Sequence, residues 1–312
     1  MKNKVCFILP YFGNFPANFK LWLSSCKNNC DFYWKIYTDD RRKYDYPENV
    51  YVTYCTLSDL EKRFQMKLKE KCLLTSPYKL CDYKPLYGVL FEDELKQYSH
   101  WGYCDVDLIF GNLSHFITDN LLDEYDKLSV LGHLSVLKNN KRVNELFRKC
   151  DYLEILNNPK TRTFDEIRFE PNINSLMAKE KMRILKTFPY SDIGWLHYKF
   201  RTSEYISGNR CVLKEDCPML FAYKDKCAYQ FSFRNEKIYQ EEIAYFHFQK
   251  RNVEVEDDIL DNFLFVPNRF IRYINPTKQL LIEFSKDNMK YYMMSKIKQI
   301  KRAIKNRLKY TK

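Results

Sequence analysis

Residues 4–12 read KVCFILPYF, an apolar run that fits a buried strand. ANFKLWLSSCKNN follows, with Phe19, Leu21, Trp22, Leu23 and Cys26 at helical intervals. WKIYTDD reads as a second strand with a polar end, and NVYVTYC as a third. This strand, helix, strand, strand rhythm predicts an α/β sheet.

A chain of 312 residues can bury a sizeable core, enough for one large domain or a domain with an appendage. Its 45% hydrophobic content argues against global disorder. The 11 cysteines are scattered, with no CxxC pair and no Cys/His cluster along the chain. They point to free thiols in a reducing compartment and to no zinc site. The opening MKNKVCFILPYFGNF sets two lysines before an apolar run, as a signal peptide does. The run is short, ends in Pro10, Gly13 and Asn14, and lacks a small-residue cleavage site, so it reads as the first strand. No stretch approaches the roughly 18 apolar residues of a spanning helix. The expected location is cytoplasmic.

Further along, Thr56 to Leu68 predicts a helix with Leu57, Leu60, Phe64 and Leu68 on one stripe. SPYKLCDYKPLYGVLFEDEL is helical, entered at Ser76-Pro77 and broken near Pro85. HWGYCDVDLIFGN reads as one strand ending at Gly111-Asn112, and KLSVLGHLSVLKNN as a longer strand bent at Gly132. Residues 141–205 are irregular, with helical pieces such as NINSLMAKEKMRIL. Short β segments follow from Pro218 to Tyr239, then EIAYFHFQKR.

Within GYCDVDLIFG, Asp105 and Asp107 stand one residue apart in a run that otherwise reads as buried. Side chains at i and i+2 of a strand point the same way, so the two carboxylates are expected on one face. Like charges so placed repel unless a cation sits beside them. Mg²⁺ or Mn²⁺ is commonly held by one or two carboxylates together with substrate phosphates. Open α/β sheets bind ligands at the carboxyl ends of their strands, where this pair lies. The plain alternative is a solvated strand end, or pairing with nearby lysines.

The order of ILPYFG, YTDD, YKLCDYKPLYG, WGYCDVDLIFG, LGHLSVLKNN, FDE and HFQKR resembles a bacterial family of GT-A-type glycosyltransferases. That family is associated with surface-polysaccharide gene clusters and is mostly uncharacterised. The resemblance covers about residues 4–252. It implies a GT-A-like, Rossmann-type mixed sheet flanked by helices over residues 1–255. Residues 256–312 form an extension with a basic amphipathic helix. It implies transfer of a sugar from a nucleotide-sugar, uridine-linked, to a glycan or lipid-linked acceptor. Asp105 and Asp107 match the Asp-x-Asp that holds Mn²⁺ or Mg²⁺ and the donor diphosphate, with His247 as a late metal or phosphate contact. Pro10, Tyr11 and Phe12 match the region that touches the nucleotide. Thr38, Asp39 and Asp40 end the second strand, where an acidic residue meets base or ribose. Lys79, Asp82 and Lys84 match a helix facing the donor sugar and phosphates. Related transferases often carry an Arg after that Asp; here Lys84 and Pro85 follow. Lys250 and Arg251 add positive charge for the phosphates.

An inverting transferase needs a base near the acceptor hydroxyl. TFDEIRF offers Asp165 and Glu166 in apolar surroundings that raise a carboxyl pKa. A helix start is the plain alternative, and His133 is a further candidate. A retaining enzyme need not use such a base, and the stereochemistry stays open.

The net charge of +12 is concentrated at one end: residues 278–312 carry eleven Lys/Arg against Glu283 and Asp287. There Met293, Ile297, Ile300, Ile304 and Leu308 recur at helical steps, with Lys298, Lys301, Arg302, Lys305 and Lys309 filling much of the remainder. Such a helix suits the inner face of an anionic membrane, which would make the protein peripheral. A solvated helix or an oligomer contact is the alternative. Two other functions compete with this one. A metal-dependent phosphoesterase needs more ligands, and His100, His115, His133, His197 and His247 show no HxH or HxxH spacing. A nucleic-acid-binding protein acting through the tail would carry organised aromatics, and no RNP-like motif is present, so no nucleic acid is expected.

Overall fold

The structure is a computed structural model that describes residues 4–167, 169–206 and 210–308. The chain forms two compact units. The first contains the chain up to Phe15, Asn29–Asp105 and Ile117–Phe188; the second contains Pro16–Asn28, Val106–Phe116 and the chain from Pro189 on.

The first unit is built on a seven-stranded mixed sheet. Its order is Val50–Tyr54, Phe32–Thr38, Val5–Pro10, His100–Cys104, Leu134–Lys138, Lys127–Leu131 and Ile184–Leu185. The first four strands run parallel, in the third, second, first, fourth order of doubly wound sheets. Leu134–Lys138 then runs antiparallel to His100–Cys104. Val5 to Leu9 are all buried, as expected for a strand covered on both faces.

The helix Leu57–Leu68 forms where its stripe predicts, with Leu60, Phe64 and Leu68 buried. Its start is fixed by a capping box in which Thr56 and Asp59 satisfy each other's backbone N–H groups. The segment after Ser76 is reduced to single turns: Pro77–Lys79, Leu80–Tyr83, Lys84–Leu86, Tyr87–Leu90 and Glu92–Leu95. Pro85 has no N–H to continue a longer helix. Tyr83 and Phe91 pack on Phe64 at ring distances of 5.1 and 5.7 Å, which anchors the backbone on both sides of Lys84.

Two strand expectations are corrected. HWGYCDVDLIFGN is not one strand. His100–Cys104 and Leu108–Phe110 are separate strands in different sheets, with a bend at Val106 and Asp107 between them. The two aspartates therefore share no strand face. KLSVLGHLSVLKNN is likewise a hairpin of Lys127–Leu131 and Leu134–Lys138 that turns at Gly132 and His133. The register slips between Leu128 and Leu131, where Ser129 adopts φ 70°.

The second unit is richer in strands. A five-stranded sheet runs Arg210–Glu215, Thr202–Ile206, Ser191–Ile193, Tyr245–His247 and Leu108–Phe110. A six-stranded sheet runs Lys237–Ile243, Cys227–Arg234, Met219–Lys224, Phe263–Val266, Arg269–Arg272 and Glu254–Val255. An aromatic core of Phe200, Phe221, Phe246, Phe248, Phe265 and Phe270 fills this unit. The helices Lys278–Phe284 and Met289–Leu308 close the described chain. The class is mixed α/β with helices flanking mixed sheets and a C-terminal helix, as the sequence predicts. Among the described residues, no helix is long and apolar enough to cross a membrane. Lys309 lies outside the described residues.

Candidate functional site

In the first unit, Lys84, Asp105 and Asp165 meet at the carboxyl end of the strand His100–Cys104. Lys84 Nζ lies 3.0 Å from Asp105 Oδ1 and 3.1 Å from Asp165 Oδ2, and donates to the Gly132 carbonyl at 2.8 Å. The hairpin turn also fixes Asp105, whose N–H donates to the His133 carbonyl at 3.0 Å. Burial alone would lower the Lys84 pKa, but the Asp105 and Asp165 carboxylates raise it well above its usual value, so the ammonium stays charged. Burial raises the pKa of Asp165 against the pull of Lys84. The Asp165 side chain is 1% exposed, that of Asp105 39%. Asp165 Oδ1 has no hydrogen-bond partner among the described residues.

Gly132 makes this packing possible. A Cβ there would lie 2.6 Å from Glu166 Cγ and 2.8 Å from Asp165 Oδ2. Glu166 itself is part-exposed. The segment before it is held by Asp82, which accepts N–H groups from Arg162 at 3.0 Å and Phe164 at 3.1 Å. Asp82 is in turn paired with Lys79 at 2.6 Å, and both side chains are fully buried. Lys79 also donates to the Ile155 carbonyl at 2.8 Å. This pair ties the 155–164 segment down and so positions Asp165.

The ends of the first two strands form a loop of their own. Thr38 is buried and accepts the Asp40 N–H at 3.1 Å. Asp39 accepts the Gly13 N–H at 2.7 Å, and Asp40 the Phe15 N–H at 2.8 Å. Gly13 has φ 96°, a conformation other residues rarely take. The Arg42 guanidinium and the backbone donors hold the Asp40 carboxyl far below the usual range. Pro10 and Tyr11 are part-exposed and Phe12 is buried. The Tyr11 ring stacks on Phe15 at 4.8 Å.

In the second unit, His247 sits between two carboxylates. Its Nδ1 lies 2.8 Å from Asp192 Oδ1 and its Nε2 lies 3.4 Å from Asp107 Oδ1. The register explains the placement. His247 is opposite Leu108 in one neighbouring strand and Asp192 in the other, and the Phe248 N–H donates to the Asp107 carbonyl at 3.1 Å. Phe246 and Phe248 point into the aromatic core, as the alternation predicts. Burial disfavours the imidazolium, yet Asp107 and then Asp192 outweigh it and raise the pKa to about 10. Gln249 and Ser203 also donate to Asp192, at 2.8 and 2.9 Å.

This donor set suits a divalent cation. A histidine whose Nδ1–H is held by a carboxylate presents Nε2 as a ligand in a fixed orientation, beside the oxygen of Asp107. Asp105 ends a first-unit segment after the strand His100–Cys104, and Asp107 lies in the second-unit segment Val106–Phe116, one residue apart in the chain.

Lys250 is exposed and lines a cavity of about 790 Å³ in the second unit, with Arg269, Lys298, Lys301, Trp195 and Tyr198. Arg251 is buried, and its guanidinium donates to the carbonyls of Gly194, His197, Tyr198 and Lys199. It acts as a local scaffold.

Sequence reasoning missed Asp192 and Lys127, and read Gly132 only as a bend in a strand. Only the polar residue within the short SDI strand signals Asp192. Lys127 is fully buried with its ammonium on Asn174 at 2.7 Å, and burial lowers its pKa to about 7. Nothing in KLSVL marks it.

The fold is thus a mixed α/β architecture with an ionic cluster beyond a parallel strand. The chain belongs to a family of unknown function, DUF6625, whose profile matches residues 7–274. No curated protein matches it. Among solved structures it is similar to the apo form of the glycosyltransferase GlyE of Streptococcus pneumoniae TIGR4, at 11% identity and a TM-score of 0.31. That alignment covers 60% of this chain and 46% of the other, so the chain spans less than half the length of that protein.

Proposed function

We propose that the protein is a glycosyltransferase that moves a sugar from a uridine-linked nucleotide-sugar to a glycan or lipid-linked acceptor of surface-polysaccharide synthesis. The observation that carries this reading is the Lys84–Asp105–Asp165 cluster beyond a parallel strand, where open α/β sheets take their ligands. Asp105, Asp107 and His247 would hold Mn²⁺ or Mg²⁺, which when bound neutralises charge growing on the diphosphate leaving group.

The chain's own residues then have separate roles. Asp192 holds the His247 ring through Nδ1, at 2.8 Å. Lys84 keeps a positive charge beside Asp105 and orients that carboxylate. Asp165 is too buried to reach an acceptor and acts through Lys84 as a positioning residue. Glu166, part-exposed beside it, is the carboxylate able to take a proton from an acceptor hydroxyl. Lys79 and Asp82 support this segment from behind, and Pro10, Tyr11, Phe12, Thr38 and Asp39 bind the nucleotide. Lys250 contributes positive charge for the phosphates.

The C-terminal helix would keep the enzyme at the inner face of an anionic membrane. In support, Met293, Ile297, Ile300 and Ile304 are all about half exposed. No acidic residue occurs after Asp287. Nucleotide-sugars screened by thermal shift, with Mn²⁺ or with a chelator, test the reading. A uridine-linked donor should stabilise the protein only with metal. Absence of a shift with every nucleotide-sugar would count against it.

A further inference from the structure

A second group of metal-type ligands lies in the second unit, away from the residues assigned above. His115 ends the turn Leu113–His115 after the strand Leu108–Phe110. Cys227 opens the strand Cys227–Arg234, and Glu242 lies near the end of its hairpin partner Lys237–Ile243. In that pair Tyr229 faces Glu242 directly, so Cys227, two residues from Tyr229, shares the face and lies diagonal to Glu242. Gly111 brings the turn over them. A Cβ on Gly111 would stand 2.7 Å from both the Ala228 nitrogen and the Ile243 carbonyl, so only glycine allows so close an approach.

His115 Nδ1 is 2.7 Å from Glu242 Oε1, and one ligand atom from each of His115, Cys227 and Glu242 lies within 4.8 Å of the others. Around a tetrahedral Zn²⁺, with bonds of about 2.0–2.3 Å, ligand atoms stand roughly 3.3–3.8 Å apart. The His115–Glu242 pair would open by roughly 0.5 Å and the longer separations would close by up to about 1 Å, shifts within the reach of side-chain torsions at a part-exposed site. An imidazole, a thiolate and one carboxylate form a borderline-soft set that favours Zn²⁺ over Mg²⁺ or Ca²⁺.

We propose that His115, Cys227 and Glu242 form a zinc site, with water in the fourth position, that clamps the Asn112–His115 turn to the Cys227–Ile243 hairpin. This site goes beyond the transferase reading and stands on different residues. Without metal, burial and the Glu242 carboxylate raise the thiol pKa. On binding, the thiol proton leaves to solvent as the metal–sulfur bond forms, and the imidazole binds through a nitrogen that carries no proton while keeping the N–H on its other nitrogen. The arrangement is invisible along the chain, since His115 and Cys227 are 112 residues apart and neither has a neighbouring ligand motif.

The test uses full-length protein stripped with a chelator and titrated with Co²⁺, then with Zn²⁺ in competition. One Co²⁺ per chain, besides any held by the metal site proposed for transfer, should give a thiolate-to-cobalt charge-transfer band that Zn²⁺ abolishes. Cys227→Ser should remove the band, and His115→Gln and Glu242→Gln should each weaken binding by about tenfold or more. His115 is half exposed, so its variant should fold, as circular dichroism would verify. Asp107→Asn should keep the band, which separates this site from the metal proposed for transfer. No band in the wild-type chain, a band that survives Cys227→Ser, or unchanged affinity in folded His115→Gln would each overturn the proposal.

Discussion

Replacing His247 with glutamine removes a cation held by both Asp107 and Asp192 while keeping a side chain that can donate a hydrogen bond. The imidazole pKa rises from 6.5 to about 10 in the folded chain. Each pH unit of that interval corresponds to about 1.4 kcal/mol, so protonated His247 contributes on the order of 5 kcal/mol. Because the folded value is the higher one, the contribution is complete below pH 6.5, declines as pH rises, and is gone above about pH 10. The wild-type curve alone will not display this. Lys127, lowered to about 7 by burial, gains stability as pH rises from about 7 to its unfolded value, an opposite slope through the same window. The difference between wild type and His247→Gln isolates the histidine. Urea unfolding of both, with chelator present, should show a gap of several kcal/mol at pH 6 that closes steadily by pH 9.5. A gap that is constant with pH, or one that widens, would refute the placement of a charged imidazole between these carboxylates.

Two further substitutions and a truncation read other parts of the structure. Lys79→Met leaves Asp82 fully buried without its cation and should cost about 3–5 kcal/mol in urea unfolding at pH 7; a loss under 1 kcal/mol would mean that the pair does not hold the 155–164 segment. Gly132→Ala drives a methyl into Asp165 and Glu166 and should cost about 1–3 kcal/mol while lowering transfer more than nucleotide binding; unchanged transfer would show that the acidic pair tolerates displacement. Removing residues 286–312 should abolish sedimentation with anionic liposomes at low salt, since each basic residue near such a surface is worth about 1 kcal/mol. Equal sedimentation by the shortened chain would assign the membrane contact elsewhere, and no sedimentation by either would leave a protein partner for the helix.

The parts of the fold that could be read along the chain are those specified by short-range rules. Thr56 and Asp59 cap a helix whose stripe lies at regular spacing, and that helix has the predicted end at Leu68. His247 was separable from Phe246 and Phe248 by alternation alone. Alternation failed at Asp105 and Asp107, because a run of apolar residues cannot signal that the chain leaves one sheet and enters another at Val106. It failed again at Gly132, where the Gly-His turn lacks the Asn-Gly or Asp-Gly signature of a tight hairpin. Lys84 was legible as a site residue, but its two partners are 21 and 81 positions away and only the tertiary fold brings them to its ammonium. The same holds for Asp192 beside His247.

The most direct test of the proposed reaction is calorimetric binding of a uridine-linked nucleotide-sugar with Mn²⁺ to wild type, Asp105→Asn and Asp107→Asn, paired with the rate of sugar transfer. The wild-type chain should bind the donor only with Mn²⁺, and each folded variant should lose about 10²–10³ in transfer rate. Metal-independent donor binding, or near-normal transfer by both variants at saturating donor and Mn²⁺, would contradict a metal-holding role for the aspartate pair.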